Sequence, residues 1–374
     1  MGPLARPRNP EASPTPFRRP ARAADPRRSS EERGWHPSAG GPHGLERAAS
    51  SAPSPNASPI ASPMADSASA ASSDASSAAL SAGGVWATPA PLRMRYDLIL
   101  LDFDGTFTDV EKEADPFFAS YKAEVRELIG GDVDGDWAEA VATLEQNPGE
   151  FGWVFEGQVV APGNADPYLR ATVILNMIFD RRGLYPNEAE RTELLQGLYF
   201  RNYPKADTVF RANAKQVVET LLASPVPTMV VTNSATDDVE AKIDRMAPTG
   251  RERLKVYGNA KKYIVAEPDE SDACFERVPE TMRAEGLERD ILLRRGRYYE
   301  LLRTLWKETG VKPERTLVAG DIFELDLALP GHLGADVHLV LKDKTQPFER
   351  AAVKAMEGGA ESPGLEGILE RAGL

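Results

Sequence analysis

The sequence predicts an α/β protein: a parallel sheet with helices on both faces, interrupted by an all-helical insertion and preceded by a disordered tail. Short apolar runs alternate with longer segments in which apolar residues recur at three- and four-residue steps. This is the pattern of buried parallel strands and amphipathic helices. A long stretch without a strong strand signal, residues 110–224, follows the first apolar run, and residues 1–93 show neither pattern.

Five apolar runs are the predicted strands of the sheet. The first, YDLILLDF at residues 96–103, is apolar in its centre and ends in acids, as expected of a strand buried on both faces. The others are PTMVVTNS at 227–234, RLKVYGNA at 253–260, RTLVAGD at 315–321 and DVHLVLK at 336–342. Helical segments separate these runs, which favours parallel strands joined by crossover helices.

The insertion at residues 110–224 is predicted to be helical. Segments with helical periodicity fill most of it. They are PFFASYKAEVRELI, DWAEAVATLEQ, YLRATVILNMIFDRRG, NEAERTELLQGLYF and NAKQVVETLLAS. The predicted organisation is a tail at 1–93, an α/β core formed by 94–109 and 225–374, and a helical domain at 110–224.

Residues 1–93 are predicted to be disordered. They are dense in Pro, Ala and Ser and contain ten arginines, seven acids and no lysine. Such a composition offers too little apolar area to offset the entropy of the chain. The segment also lacks the order of features found in a signal peptide. Because Met94 stands directly before the first predicted strand, we hypothesise that the natural protein begins there.

The composition argues against several classes of function. The chain has 374 residues and a formal net charge of −13, which argues against nucleic acid or an anionic membrane as the main partner. Its one cysteine, Cys274, excludes an intrachain disulfide. No apolar run approaches the roughly 18 residues of a membrane span. We therefore expect a cytoplasmic protein, and the sequence does not indicate its oligomeric state.

The spacing D-x-D-G occurs twice, in LILLDFDGTFTD at 98–109 and in LIGGDVDGDWAE at 128–139. In the first copy Asp102 and Asp104 directly follow a buried strand, where open α/β sheets bind their ligands. Two carboxylates there are costly unless they bind a cation or take part in chemistry. The second copy follows glycines that end a helix. We interpret the first copy as the site and the second as an acidic loop in which Asp136 caps a helix.

The second and third predicted strands also end in polar residues. The second ends in Thr232, Asn233 and Ser234, whose hydroxyls and amides could hold an oxyanion at the start of the next helix. The alternative is an ordinary helix cap by Ser234 or Thr236. Lys261 and Lys262 follow the third strand and could neutralise a phosphoryl group. An exposed pair of lysines is the alternative there.

The fourth predicted strand ends in another carboxylate. Asp321 follows it directly, with Glu324 and Asp326 close behind. Beside Asp102 these groups would form an oxygen-only site that lacks a full set of protein ligands, so water and substrate would complete the coordination. Mg²⁺ is usually bound in this way.

The segments LLDFDGTFTD, VVTNS and VAGDIFELD resemble, in this order and on strands, the first, second and fourth motifs of the haloacid dehalogenase (HAD) superfamily. The resemblance implies a Rossmann-like core and makes the insertion a helical cap of the C1 type. The third motif of the family is a lysine, which Lys261 or Lys262 would supply. Arg294 or Arg295 stands where members with the common pattern have a Lys-Pro step, so the phosphate-binding cation is open among these four.

The resemblance implies a Mg²⁺-dependent phosphatase for a small phosphorylated metabolite. Asp102 would be the nucleophile and form an aspartyl-phosphate. Asp104 would be first the general acid and then the general base. The metal site would consist of Asp102, the backbone carbonyl of Asp104, Asp321 and Asp326, with Glu324 as the second choice for the last position. The phosphoryl oxygens would be held by Thr106, Thr232, Asn233 and Lys261 or Lys262.

Asp104 distinguishes between activities within the superfamily. Cleavage of a carbon–halogen bond needs no acid for a leaving oxygen, and the dehalogenase members lack that second aspartate, so its presence favours a phosphatase. A phosphomutase of the same superfamily is one alternative, and a catalytically silent protein that binds a phosphorylated ligand is another. The sequence does not identify the substrate.

Overall fold

The structure is a computed structural model, and it describes residues 94–374. The disordered tail expected at 1–93 lies outside the described residues. The described part contains a six-stranded sheet surrounded by helices, which confirms the predicted α/β fold class. The strands are β1 (Leu98–Leu101), β2 (Gly152–Phe155), β3 (Gln158–Pro162), β4 (Thr228–Val231), β5 (Lys255–Tyr257), β6 (Thr281–Met282), β7 (Ile291–Leu292), β8 (Thr316–Gly320), β9 (Asp336–Val340) and β10 (Gly359–Ser362).

Helices precede or follow most of these strands. They are α1 (Val110–Glu113), α2 (Asp115–Ile129), α3 (Val133–Gln146), α4 (Pro167–Arg182), α5 (Glu188–Asn202), α6 (Ala214–Ala223), α7 (Thr236–Met246), α8 (Gly296–Thr309), α9 (Ala328–His332), α10 (Pro347–Ala355) and α11 (Glu366–Ala372). None of the helices in residues 94–374 is long and apolar enough to cross a bilayer. The cytoplasmic location expected from the sequence stays a prediction.

The order of strands in the sheet is β10-β9-β8-β1-β4-β5, and every neighbouring pair is parallel. Strands β4 and β5 therefore follow one another on one side of β1. Strands β8, β9 and β10 follow one another on its other side. Ligands of open parallel sheets bind in the crevice where the strand order reverses in this way. The ends of β1, β4 and β8, which carry most of the predicted site residues, meet at that crevice.

Successive residues of β1 face opposite sides of the sheet, as strand geometry requires. Leu98 and Leu100 belong to the hydrophobic core under α8, α9 and α10, whereas Ile99 and Leu101 belong to the core under α6, α7 and α11. All four side chains are buried. Because helices cover both faces, the strand is apolar throughout, which is the pattern that identified it in the sequence.

The sequence analysis did not predict one strand of the core and assigned one core helix to the insertion. The sixth strand, β10, has the sequence GAES, and its small and polar residues gave no apolar run to recognise. Helix α6 was included in the insertion, but Val217 and Leu221 on this helix lie in the same hydrophobic core as Ile99 of β1. Helix α6 therefore packs on the sheet and helps to hold β1 in place.

The insertion is not wholly helical, so the prediction of an all-helical domain was wrong in this respect. Besides helices α1 to α5 it contains the antiparallel hairpin β2–β3. The pairing of Phe155 with Gln158 leaves a two-residue turn, Glu156 and Gly157, with φ angles of 48° and 77°. Positive φ at both positions is the geometry of a type I′ turn. Glu-Gly is not the usual Asn-Gly or Asp-Gly signal for such a turn, and the strands are short.

The hairpin packs on the core and not only on the helices of the insertion. The rings of Trp153 on β2 and Tyr263, a core residue, have centroids 4.7 Å apart. Val160 on β3 lies in the same hydrophobic cluster, together with Leu325 from the loop after β8. Tyr263 follows Lys262 directly, and Leu325 lies between Asp321 and Asp326. The hairpin therefore covers loops that carry predicted site residues.

The second D-x-D-G stretch begins a helix, as the sequence predicted, but with a different cap. Helix α3 starts at Val133, and the side chain of Asp132 accepts a hydrogen bond from the amide of Gly135 at 2.9 Å. The predicted cap, Asp136, lies inside the first turn and pairs with Arg182. The cap is therefore Asp132, because the helix begins four residues earlier than a cap at Asp136 implied.

Candidate active site

Asp102 is the first residue after β1, and its position is fixed by the neighbouring strand. Its backbone amide donates to the carbonyl of Ala319 on β8 at 2.8 Å. The following turn brings Gly105 close to the end of β8 with a φ of 87°. A Cβ atom at Gly105 would lie 2.4 Å from Oδ2 of Asp321. Both the positive φ and the close approach therefore require glycine in the D-x-D-G motif.

The carboxylates of Asp102, Asp321 and Asp326 meet at the end of β1 and β8. All three are buried, and one oxygen of each lies within 4.8 Å of the other two. Asp326 reaches this place because the chain after β8 makes a short π-helical turn at Phe323–Leu327. The buried hydroxyl of Thr106 lies 3.1 Å from both Oδ2 of Asp102 and Oδ1 of Asp321. Thr106, which was predicted to hold a phosphoryl oxygen, thus bridges two of the acids.

Lys262 is the cation that joins this cluster. Its Nζ donates to Oδ1 of Asp102 and to Oδ1 of Asp326, each at 2.8 Å, and the side chain is 1% exposed. Burial alone lowers the pKa of an ammonium group, but the two carboxylates raise the pKa of Lys262 above its ordinary value. The group is therefore a buried cation. Burial raises the pKa of Asp102 well above its usual range; the charge of Asp326 adds to that rise, and Lys262 opposes it.

The other three cations left open by the sequence lie elsewhere. Lys261 is exposed. Arg294 pairs with Glu267 at 2.5 Å. Arg295 is fully buried but directs its guanidinium to backbone carbonyls and not to the acids. Only Lys262 of the four pairs with the acid cluster.

Arg295 has a different position in the site. Its guanidinium donates to the carbonyl of Lys262 at 2.7 Å and to the carbonyl of Val160 on β3 at 2.8 Å. Burial lowers its pKa to about 10. Arg295 therefore connects the loop that carries Lys262 to the hairpin of the insertion. Its place directly before α8 was noted in the sequence, but no sequence pattern indicated this bridge.

Lys342 is a second buried lysine at the acids, and the sequence analysis missed it. Its Nζ lies 2.5 Å from Oδ2 of Asp321 and 2.5 Å from the carbonyl oxygen of Ala165 in the insertion. Burial raises the pKa of Asp321, and the charge of Lys342 opposes that rise. A signal was present, because Lys342 directly ends the fifth predicted strand run, as polar residues end the other runs.

Glu324, the second choice for the metal site, does not join the acids. It is fully buried, and its two carboxylate oxygens accept hydrogen bonds from the guanidinium of Arg289 at 2.5 and 2.8 Å. The structure therefore brings Asp326, and not Glu324, to Asp102 and Asp321.

The end of β4 lies on the other side of Asp102. The carbonyl oxygen of the Asn233 side chain accepts from the backbone amide of Lys262 at 2.8 Å, so Asn233 holds the loop of Lys262. The hydroxyl of Thr232 accepts from the amide of Ser234 at 3.2 Å. Helix α7 begins at Thr236 with Ala235 as its cap residue, so Ser234 is not the cap. The phosphate-binding roles of Thr232 and Asn233 stay predictions.

Asp104 is turned towards β4 and α7. Its Oδ2 accepts from the hydroxyl of Ser234 at 2.6 Å, and its Oδ1 accepts from Nζ of Lys242 at 2.6 Å. Lys242 also lies 3.6 Å from the buried carboxylate of Glu113 on α1. Burial raises the pKa of Glu113 to about 7, and the charge of Lys242 opposes this rise. Lys242 and Glu113 gave no signal in the sequence, because each is one of many charged residues on a helix.

The donor set at the acids fits magnesium. It consists of three buried carboxylates and contains neither histidine nor sulfur, and hard divalent cations prefer oxygen ligands of this kind. The side chain of Asp104 contacts Ser234 and Lys242 and is not one of the three clustered acids, so the metal-binding role of its backbone carbonyl stays a prediction. Lys262 and Lys342 compensate part of the negative charge of the three acids in the metal-free protein.

Comparison with known proteins gave matches only among solved structures. No family model matches the chain, and no curated protein does. One similar structure is a predicted phosphoglycolate phosphatase from Haemophilus somnus 129pt, with 14% identity, 74% of this chain and 97% of that chain covered, and a TM-score of 0.43. Another is a proposed HAD-hydrolase from Bacillus subtilis bound to magnesium, with 15% identity, 75% and 100% coverage, and a TM-score of 0.45.

A third similar structure is the 2-haloacid dehalogenase from Pseudomonas syringae pv. tomato DC3000, with 13% identity, 74% and 97% coverage, and a TM-score of 0.36. Hydrolases described as HAD-superfamily proteins are among the structures that this chain resembles. This is the superfamily that the three motifs indicated.

Lys342 leads to a prediction about metal affinity. Because its ammonium stands against an oxygen of Asp321, it competes with a divalent cation for that oxygen. We expect Lys342→Met to lower the Kd for Mg²⁺ by about tenfold, which corresponds to ~1.4 kcal/mol. Isothermal titration calorimetry of the metal-free protein measures this constant directly.

Lys344→Met is the matched control for this prediction, because Lys344 pairs with Glu145 at the surface and not with an acid of the cluster. Its Kd for Mg²⁺ should equal that of the wild type. An unchanged or higher Kd in Lys342→Met would show that the lysine does not compete with the metal.

Proposed function

We propose that the protein is a Mg²⁺-dependent phosphomonoester hydrolase of the HAD superfamily that acts on a small phosphorylated metabolite through an aspartyl-phosphate. One observation carries the proposal: Asp102 and Asp104 stand at the switch point of the sheet, and Asp102 shares Lys262 with Asp326. This arrangement supports the proposal, because a carboxylate that can act as nucleophile, a second carboxylate and a buried cation lie at one edge of the sheet. These are the groups that phosphoryl transfer through an aspartate needs.

The first step is attack by a carboxylate oxygen of Asp102 on phosphorus, in line with the leaving oxygen. A phosphorus–oxygen bond to Asp102 forms while the bond to the leaving oxygen breaks. Lys262 contacts Oδ1 of Asp102 at 2.8 Å, so it orients the nucleophile and adds positive charge where a phosphoryl group would arrive. Thr232 and Asn233, at the end of β4, are proposed to hold phosphoryl oxygens.

Asp104 is the general acid of the first step and the general base of the second. It donates a proton to the leaving oxygen in the first step, and its carboxylate then accepts a proton from the water that attacks the aspartyl-phosphate. The second step releases inorganic phosphate and restores the Asp102 carboxylate. The contacts of Asp104 with Ser234 and Lys242 place its side chain beside the nucleophile's strand end and away from the three acids.

The metal site of this proposal is Asp102, Asp321, Asp326 and the backbone carbonyl of Asp104. Mg²⁺ bound there would screen the repulsion between the carboxylates and the phosphate. Thr106 keeps Asp102 and Asp321 at a fixed separation through its hydroxyl. Removal of the metal should therefore abolish activity without unfolding the site.

The position of the insertion supports the proposal that the substrate is small. Ala165 and Val160 of the insertion accept hydrogen bonds from Lys342 and Arg295, and Asp102 is only 8% exposed, so protein covers most of the acid cluster. A covered site excludes bulk water, which strengthens the electrostatic interactions in it and protects the intermediate from unwanted reactions. The covering of the site by the insertion also limits the size of the leaving group that can bind there.

Release of inorganic phosphate tests the proposal. The substrates are para-nitrophenyl phosphate and a panel of sugar, nucleotide and glycolytic phosphates, each with Mg²⁺ and with EDTA. We expect turnover with Mg²⁺ and a loss of at least about 100-fold in EDTA, which the addition of excess Mg²⁺ reverses. Equal turnover in both conditions would contradict the metal dependence.

The same panel separates the alternatives. A folded protein that binds Mg²⁺ but releases no phosphate from any compound would not be a general phosphatase. A phosphomutase would then show transfer of phosphate within a sugar phosphate, and a silent binding protein would show neither reaction.

A further inference from the structure

Both carboxylate oxygens of Asp104 are held by residues of the core. Ser234 donates to Oδ2 and Lys242 donates to Oδ1, each at 2.6 Å. Ser234 stands in the loop after β4, and Lys242 projects from the middle of α7. The carboxylate orientation is therefore set by two short contacts, of which the one to Lys242 is charge-assisted and the stronger.

Lys242 is in turn held by a carboxylate of the insertion. Its Nζ lies 3.6 Å from Oε1 of Glu113, whose side chain is only 3% exposed. Among the described residues, Oε1 of Glu113 has no hydrogen-bond partner. The hydroxyl of Thr108 lies 3.5 Å from the other oxygen. A buried carboxylate is costly unless a cation or donor compensates it, and Lys242 is the cation that faces this one.

Glu113 is well placed to link the insertion to Asp104. It ends the short helix α1, directly after the linker through which the chain leaves β1 for the insertion. Glu113, Lys242 and Asp104 thus form a continuous chain of ionic contacts from the insertion to the site.

We propose that Lys242 and Glu113 are positioning residues for Asp104: Lys242 orients the carboxyl group of Asp104, which in its protonated form transfers a proton to the leaving oxygen, and Glu113 keeps Lys242 in place. This inference rests on the proposed phosphatase function and extends it to two residues outside the motifs. Neither residue needs to touch the substrate. Their effect passes through Asp104 and therefore concerns the leaving group and not the nucleophile.

Two kinds of leaving group separate this role from a general structural one. An alkoxide is a poor leaving group and needs the proton from Asp104, whereas a nitrophenolate departs without one. Loss of orientation at Asp104 should therefore slow hydrolysis of alkyl phosphates much more than hydrolysis of para-nitrophenyl phosphate. Damage to the fold or to the metal site would slow both reactions equally.

The experiment compares kcat on para-nitrophenyl phosphate with kcat on the alkyl phosphate of the panel that the wild type hydrolyses fastest. For Lys242→Met we expect a loss of about 30- to 100-fold on the alkyl phosphate, and a loss below about threefold on the aryl phosphate. For Glu113→Gln we expect a loss of about tenfold on the alkyl phosphate alone. The double variant should be no slower than Lys242→Met, because Glu113 acts through Lys242.

Two further variants are controls that detect a loss of activity caused by misfolding. Lys242→Arg keeps the charge and should keep the ratio of alkyl to aryl kcat within about threefold of the wild type. Arg245→Met removes a cation from the exposed side of the same helix, where it pairs with Asp207, and should leave both rates unchanged.

Three outcomes would overturn the inference. Equal losses on both substrates would show a structural role, unchanged rates would show no role, and additive losses in the double variant would show that Glu113 acts independently of Lys242. A wild type that hydrolyses neither substrate would overturn the proposed function itself, and this inference with it. An active wild type with any of the three outcomes overturns only the positioning roles.

Discussion

Asp102→Asn is expected to lower the kcat of phosphate release by at least about 10³-fold, because an amide does not attack phosphorus as a carboxylate does. Asparagine has nearly the same size, and its oxygen can still accept the hydrogen bond that Lys262 now donates to Oδ1 of Asp102. The fold should therefore remain intact. Initial rates at saturating Mg²⁺, on the best compound of the panel, measure the effect.

The same substitution should stabilise the metal-free protein. Asp102 is buried next to the charges of Asp326 and Asp321, and burial raises its pKa well above the usual range. A neutral isostere removes the cost of this buried charge. We expect the free energy of unfolding in EDTA to rise by about 1 kcal/mol or more, as measured by urea denaturation. An inactive but more stable variant would assign the loss to chemistry and not to misfolding.

Asp132→Asn is the matched control, since Asp132 is the first aspartate of the second D-x-D-G stretch. It caps α3 through its side-chain oxygen, and asparagine caps helices as well as aspartate does. Its activity and stability should equal those of the wild type. If Asp132→Asn lost activity and Asp102→Asn kept it, the site would have been assigned to the wrong copy.

Lys262→Met is expected to have the largest effect on stability. The ammonium contacts Asp102 and Asp326 at 2.8 Å each, and its loss leaves two buried carboxylates without their shared cation. Breaking a buried ion pair from one side costs about 3–5 kcal/mol. We expect a fall of this size in the free energy of unfolding in EDTA, and a fall of about 10²- to 10³-fold in kcat at saturating Mg²⁺.

Lys261→Met is the control for this prediction, because it removes an exposed ammonium from the neighbouring position. It should leave stability and kcat unchanged. Mg²⁺ should restore part of the stability of Lys262→Met, since a divalent cation at Asp102 and Asp326 replaces the missing charge. If Lys261→Met and Lys262→Met lost activity equally, the assignment of Lys262 as the site's cation would be wrong.

The sequence predicted much of the sheet and several residues at its edge. Buried strands leave apolar runs, and Asp102, Thr232 and Asp321 were found because each stands directly after such a run. Strand ends that meet at a reversal of strand order lie close together whatever their separation in the chain. The acid cluster could therefore be anticipated without knowing any contact.

The side chains that hold this cluster could not be predicted. Lys242, Lys342 and Arg295 are three of the 44 lysines and arginines in the chain, and charged residues on helices and loops are usually solvated. Their contacts with Asp104, Asp321 and the carbonyl of Lys262 depend on packing between distant elements. The cation that pairs with the acids could not be chosen from the sequence either. The path of the backbone around Lys262 determines that Lys262, and not Lys261, reaches the acids.

The hairpin and the sixth strand were missed for a different reason. β2, β3 and β10 have four or five residues each, and β10 is polar. Such short segments form strands because neighbouring chain is available to pair with them, and not because of their own pattern. Pattern-based prediction recognises elements that bury a whole face, and these three do not.

The order of strands also determines when the site can assemble. Thr106 and Asp321 contact each other across 215 residues of intervening chain, and β1 cannot pair with β8 until that chain has been synthesised and its loop closed. Contacts of this kind form slowly, because the entropy of loop closure opposes them before they stabilise anything. The helices of the insertion, by contrast, pack on one another across shorter stretches of chain, as α3 does on α4 and α2 on α5. We therefore expect the site to appear among the last features on refolding, and a nascent chain that ends before β8 to have none.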